Sequence, residues 1–460
     1  MAEYLTNDTD LKKVADAIRT KGGTSAALSY PDEYVSAINA ITTGTELRIV
    51  VSVTTGSTVT ATKGELVVSG VSTDDSCTLV VPESGIWSVT AALNGKTSDT
   101  KRISVVASYA AALRYTNIYG VEWDWTSSGL TRGVRTDDAA GFNDPSPAVS
   151  NGTGSSTFDT LYPWSGMVRE TRAGGVEVKE PKYWFKWTKT GKKLKLQIAD
   201  GYVEGFSVDP VNRDRGDGLG ELDYSYIGRY HCASGYKSTT GAAQQVNITR
   251  SEARSGIHNL GANFWQMDFA QFWYVNMLFL VEFADWNGER IGRGCSTNNS
   301  KMNNGQTDAM GYHTGTTAAS RDSYGFTQYR NIEGWWDNVY DWMDGCYYNS
   351  NGLNVISNPN NFSDSANGTL VGTPSSGYPS DFTIPTASGL EWALFPSAAN
   401  GSQTTYVPDI WYFSGRFPCL RHGGEYSQGQ DRGPFYVTYY STSNSDDYIG
   451  CRLQERPPKT

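Results

Sequence analysis

The chain is poor in charge: only 19% of its 460 residues are Asp, Glu, Lys or Arg. It has no basic run, and 38 Lys and Arg against 48 Asp and Glu leave a formal charge of −10. Nucleic acid needs a local cationic patch that neutralises phosphates, so this composition argues against it as a partner. Six cysteines in so long a chain do not make a disulfide framework, and none form a C-x-x-C pair. Cys232 follows His231, but no further Cys or His stands at zinc-ligand spacing. The first residues, Met1-Ala2-Glu3-Tyr4, show neither the basic nor the apolar region of a secretory signal. The longest apolar run, Phe272 to Phe283, is interrupted by Asn276 and Glu282 and suits a buried helix better than a membrane span. The expectation is therefore a product of the cytosol, without membrane insertion, that reaches any exterior role by another route. No Gly-x-Ser-x-Gly, phosphate loop or His-Glu-x-x-His occurs.

Aromatic residues and glycine are abundant instead. Phe, Trp and Tyr make up 13% of the chain, with 14 Trp, 28 Tyr and 49 Gly. Such a mixture suits large aromatic cores joined by long shaped loops, and tyrosine-rich surfaces that bind. The length predicts two or three domains. Residues 1–42 read as a short helical module. Leu11, Val14, Ala15 and Ile18 form an apolar stripe behind an Asp8 or Thr9 cap and stop at Gly22-Gly23. Pro31 opens a second helix carrying Tyr34, Ile38 and Ile41. Residues 45–107 read as a small β-sandwich, with strands at Leu47–Val53, Glu65–Ser69, Thr78–Val81, Ile86–Ala91 and Lys101–Val105. Trp87 and Val89 alternate as inward residues should. The stretch from Pro82 to Thr97 resembles Ig-like or prealbumin-like modules, which implies a spacer.

Residues 108–460 read as one large domain without an obvious linker. Strands are expected at Tyr183–Thr188, Lys193–Ile198 and Ile227–His231, and helices near Ala253–Leu260 and Trp265–Trp286. The Gly, Ser and Asn stretches 294–308 and 357–379 read as surface loops, because aromatic segments resume after each.

Two segments carry a specific signal. The first runs from Asn331 to Gly345 and contains Gly334-Trp335-Trp336-Asp337-Asn338-Val339-Tyr340-Asp341-Trp342. The second is Cys419-Leu420-Arg421-His422-Gly423-Gly424-Glu425-Tyr426, then Gly433-Pro434-Phe435, then Ile449-Gly450-Cys451-Arg452. The first resembles the Gly-Asn-Val-Trp-Glu-Trp signature of the formylglycine-generating-enzyme branch of C-type-lectin-like folds, with Asp337 in place of Gly, Tyr340 of Trp and Asp341 of Glu. The second resembles the Arg-Gly-Gly-Ser-Trp through Gly-Phe-Arg tail of that branch, with His422 intervening and Tyr426 where Trp would stand. Within the branch the chain is similar to variable proteins diversified by retroelements, such as phage major tropism determinants. The resemblance implies an α+β fold in three parts: a helical attachment piece, an Ig-like spacer and a C-type-lectin-like display domain. It further implies a non-enzymatic adhesin of a phage tail, located in the virion and working as a trimer. Its partners would be a host-cell surface protein or glycan, and other tail proteins through the N-terminal module.

The side chains between the framework residues of the second segment are the candidate binding face. They are His422, Glu425, Tyr426, Gln430, Asp431, Arg432, Tyr436, Thr438, Tyr439, Tyr440, Asp446, Asp447 and Tyr448. Tyr offers wide contact area and a hydroxyl at little entropic cost, and Asp and Arg add directional pairing. In a strand over Phe435–Tyr440, alternation puts Tyr436, Thr438 and Tyr440 on one face, toward solvent, and Phe435, Val437 and Tyr439 on the other, toward the core. The alternative is that these tyrosines fill an aromatic core. Cys419 and Cys451 bound the segment, either as a disulfide or as two buried thiols, and Cys295 and Cys346 carry the same ambiguity.

Two rival functions follow from the same residues. One is an oxidoreductase of the formylglycine-generating type, although no segment matches the active-site cysteines of those enzymes, and His231, His258, His313 and His422 do not form the iron-binding pattern of the related sulfoxide synthases. The other is a bacterial surface adhesin. No catalytic residue and no cofactor is expected, except that the acidic stretch Asn212 to Asp223 leaves a structural calcium open. The sugar-binding Glu-Pro-Asn and Gln-Pro-Asp motifs of calcium-dependent lectins are absent.

Overall fold

A computed structural model describes residues 8–20, 47–105, 109–113, 115–126, 129–294, 300–415, 417–428 and 432–458. Residues 1–116 and 117–460 form two compact units. In the first, the stripe found at the start of the chain becomes the helix Asp8–Thr20, with Ala15 buried and Val14 exposed. The second helix expected from Pro31 lies outside the described residues.

The other described residues of that unit form two sheets. Leu47–Ser52 lies between Ser76–Val81, antiparallel, and Tyr109–Ala112, parallel. In the other sheet Thr58–Lys63 lies between Leu66–Val71 and Gly85–Leu93, and Gly85–Leu93 also pairs with Lys96–Thr97 and Lys101–Val105. Alternate side chains of both sheets, among them Ile49, Val51, Val59, Leu79, Trp87, Val89 and Ile103, meet in one core. Trp87 and Val89 point inward, as alternation requires. Thr58–Lys63 was not legible because its inward residues, Val59 and Ala61, are small and its remaining positions are Thr and Lys. The expected limit at residue 107 also moves, since Tyr109–Ala112 adds a strand to the first sheet.

The second unit is mixed, with strands outnumbering helices, which places the chain in the α+β class. Its centre is the helix Phe269–Phe283, buried along its whole length. Asp268 caps it by accepting from the Gln271 N–H at 2.9 Å, and Ala284 ends it at φ 52°. A helix apolar on every side must be covered on every side. One cover is the five-stranded sheet with the order Val134–Asp137, Ile118–Asp124, Lys193–Ala199, Trp184–Thr190, Ser207–Val208. Its Val121, Leu196, Phe185 and Trp187 share the helix's core. Trp187 meets Trp273 edge to face at 6.2 Å, and Trp286 stacks on Phe382 at 5.0 Å. Each such side chain contributes about 1.5–3 kcal/mol by leaving water.

A second five-stranded sheet has the order Arg169–Arg172, Gly175–Pro181, Tyr224–Gly228, Leu453–Glu455, Phe264–Gln266. The strand expected at Ile227–His231 is therefore shifted, and His231 lies beyond its end. This sheet holds buried acids. Glu180 accepts from Gln271 Nε2 at 2.8 Å and Ser225 Oγ at 3.2 Å, while its other carboxylate oxygen is buried without a partner. Burial pushes the Glu180 carboxyl up to about 8, and burial together with neighbouring Glu455 does the same to Glu177. These folded values lie above those of an unfolded glutamate, so between roughly pH 4.5 and 8 the native state holds protons that the unfolded chain has released. Stability from these groups is greatest below that window and falls as pH rises through it. Glu180→Gln is thus expected to melt higher than the parent at pH 8 and to match it near pH 5 in thermal scans. An unchanged pH slope would refute the assignment.

Candidate binding face

The two segments singled out in the sequence join in one four-stranded sheet. Tyr340–Met343 pairs antiparallel with Cys419–His422, setting Asp341 opposite His422 and Trp342 opposite Arg421. On its other edge Tyr340–Met343 runs parallel to Ile449–Gly450. Cys419–His422 in turn pairs with Val437–Tyr440, setting Arg421 opposite Thr438 and Cys419 opposite Tyr440. Arg452 locks the frame. Its Nε donates to Asp341 at 3.1 Å, and its two terminal nitrogens donate to the carbonyls of Gly228, Arg229, Glu333 and Gly334. His231 faces the same carboxylate, Nδ1 to Oδ1, at 2.9 Å.

Alternation gives this sheet two faces, and both are covered. Leu420, Val437 and Met343 belong to the main core. Tyr340, Trp342, Cys419 and Tyr436 belong to a smaller core completed by Cys232, Ile248 and the residues Ala253 and Ile257 of the helix Arg250–His258. Four expected face residues therefore point inward, which corrects the reading that they meet solvent. His422 is fully buried, its ring 4.6 Å from that of Trp335 and 5.2 Å from that of Phe272, with Nε2 bonded to the Pro434 carbonyl at 3.0 Å. Burial pushes it down to about 4, so it is neutral at pH 7. Glu425 is buried and accepts from the amide and hydroxyl of Ser427. Tyr436 and Thr438 are buried because the second face, expected to be open, carries the smaller core. Gln430 and Asp431 lie outside the described residues.

The remaining expected residues reach the surface. Asp447 is exposed and pairs with Lys301 at 3.3 Å, and Tyr426 approaches its carboxylate at 3.4 Å. Tyr439 is half-buried and stacks on Phe417 at 5.6 Å. Arg432 lies 4.3 Å over the Tyr436 ring and donates to Gln428 Oε1 at 2.9 Å, an oxygen that also accepts from the Tyr340 hydroxyl. Tyr440 donates to Asp446 at 2.6 Å, and its hydroxyl meets that of Tyr448 at 3.0 Å. Sequence reading treated Arg421 as framework and missed its surroundings. Its guanidinium lies 3.9 Å from the centre of the Tyr340 ring, 4.1 Å from Tyr440 and 5.8 Å from Tyr448. Strand register brings these residues together, and no linear spacing signals it.

Cys419 and Cys451 are free, buried thiols, as are Cys232 and Cys346, while Cys295 lies outside the described residues. Cys451 sits beside Cys232, whose N–H donates to its carbonyl at 2.7 Å. Burial pushes the Cys419 thiol up to about 11, which leaves little nucleophilic thiolate at neutral pH. The acidic segment before Tyr224 turns its carboxylates to protein donors: Asp217 to Arg456 at 2.7 Å and Asp223 to Lys182 at 2.7 Å. Among the described residues no group of three or more His, Cys, Asp or Glu side chains could hold a metal ion, and no helix is long and apolar enough to cross a membrane.

Compared with known proteins, the sequence matches no protein-family profile and no curated protein.

Proposed function

We propose that this chain is a non-enzymatic phage tail adhesin whose C-type-lectin-like display domain binds a protein or glycan on the host-cell surface. The observation that carries the reading is a frame sealed by two cores whose outer rim still presents aromatic and charged side chains. The binding face is then narrower than the sequence suggested: Tyr426, Arg432, Tyr439, Tyr440, Asp446, Asp447 and Tyr448. Rigid tyrosines lose little entropy on binding, and substitutions at such a rim change partner choice with little effect on folding. In this reading the helical module attaches the chain to other tail proteins, the small β-unit is a spacer, and several copies, as in a trimer, raise avidity.

The test is binding of the purified, fluorescently labelled full chain to a panel of intact bacterial strains. Changing both Tyr426 and Asp447 to Ala is expected to lower binding to the recognised strain by about tenfold or more, with a melting temperature within about 2 °C of the parent. Binding to no strain, or equal binding by the double variant, would overturn the proposal.

A further inference from the structure

Seven arginines are buried among the described residues, and six have a carboxylate within 4.0 Å: Arg215, Arg229, Arg250, Arg330, Arg452 and Arg456. The exception is Arg421, which is 8% exposed. Its Nε and Nη1 are buried without a hydrogen-bond acceptor, and among the described residues no carboxylate pairs with it. Among the described residues the charge is attended by ring faces, those of Tyr340, Tyr440 and Tyr448. Cation–π contact offsets part of the cost of taking a guanidinium out of water, but it leaves the planar fork of donors unused. That fork matches a carboxylate.

The neighbours narrow the choice of anion. Asp446 is held by the Tyr440 hydroxyl, and exposed Asp447 lies across from Tyr426. Asp446, one hydrogen bond beyond a ring that covers the guanidinium, disfavours a densely charged polymer yet accepts hydrogen bonds from hydroxyl groups, and the Tyr440 and Tyr448 hydroxyls add two more polar contacts. A ligand that brings one carboxylate together with several hydroxyls satisfies both halves of the site. An acidic peptide side chain brings the carboxylate alone.

We propose that Arg421, with Tyr440, Tyr448 and Asp446 around it, is the subsite that takes the carboxylate of an acidic sugar, of the uronic acid class, in the receptor of this adhesin. The inference rests on the binding-face reading above and names the ligand chemistry of that face. Tyr448, half-buried and the most distant of the three rings, is the side chain that turns outward to admit the sugar.

The experiment is titration calorimetry on the full chain with three probes: glucuronate, glucose and N-acetylaspartate amide. Glucuronate is expected to bind in the millimolar range, as single sugars do, and about tenfold or more tighter than either of the others. Arg421→Met should abolish the preference for glucuronate over glucose while the melting temperature stays level or rises, because an unpaired buried cation has been removed. Should that variant fail to fold, the ratio of glucuronate to glucose binding by the parent decides the matter. Equal binding of glucuronate and glucose, or an Arg421→Met variant that keeps the preference, overturns the proposal. Binding of N-acetylaspartate amide as tight as glucuronate overturns the sugar assignment in favour of a protein partner. The cell-binding test of the Tyr426 and Asp447 variant separates the two readings. Face-dependent cell binding without glucuronate binding removes this subsite alone, whereas Arg421-dependent glucuronate binding without face-dependent cell binding removes the adhesin.

Discussion

Arg452→Met is expected to destabilise the chain by about 3–5 kcal/mol, the cost of leaving a buried charge without its partner. Arg452 is fully buried, and all five of its N–H groups are used. Methionine fills much of the same volume but takes a donor from Asp341 Oδ2 and from four backbone carbonyls away from water. Burial alone would raise Asp341, but His231 and Arg452 beside it overrule burial and hold it at about 2. That depressed value means the pairing stabilises the fold at every pH above the ordinary carboxylate range and is lost only as pH falls toward 2. Denaturant unfolding followed by tryptophan fluorescence measures the loss. A midpoint matching the parent's would show that the frame is held by packing and not by this network. The comparison with Arg421→Met is direct: two buried arginines of the same frame, one with every donor paired and one attended by ring faces alone among the described residues, should respond in opposite ways.

The second large effect is expected at Asn276, the residue that interrupts the apolar run. Asn276 is buried mid-helix, donates to the Pro434 carbonyl at 2.7 Å and accepts from Trp335 Nε1 at 3.0 Å. It thereby ties both recognised segments to the central helix. Leucine is close in size and a better helix former, so on propensity and burial Asn276→Leu should stabilise. The two orphaned groups decide the sign, at roughly 1–3 kcal/mol each, and a net loss of about 2–4 kcal/mol is expected in the same unfolding assay. A variant as stable as the parent would mean that the turn at Pro434 relaxes to find other partners.

Much of the fold was legible residue by residue. Leu47–Ser52, Ser76–Val81 and Lys101–Val105 lie where strands were expected, and Phe269–Phe283 lies within the helix expected over Trp265–Trp286. The first helix begins at Asp8, so Asp8 and Thr9, the two caps expected, lie inside it, and the position before it lies outside the described residues. The candidate face was legible only in part. The sharing of faces along Val437–Tyr440 follows from a period of two, and the buried side of Val437 follows from its hydrophobicity. What covers the other side does not. Tyr436 shares a core with Ile248 and with Ala253 and Ile257 of the helix Arg250–His258, almost two hundred residues earlier in the chain. His422 illustrates the same limit: a polar residue at a strand end reads as exposed until Phe272 and Trp335 close over it.

By itself, the sequence determined where the chain alternates, where it caps a helix and which stretches are apolar, because those preferences act between residues a few positions apart. The tertiary structure alone decided which arginine is paired and which is bare, because strand register sets Arg421 beside Tyr340 and Tyr440 and carries Arg452 to Asp341, contacts that no local preference encodes.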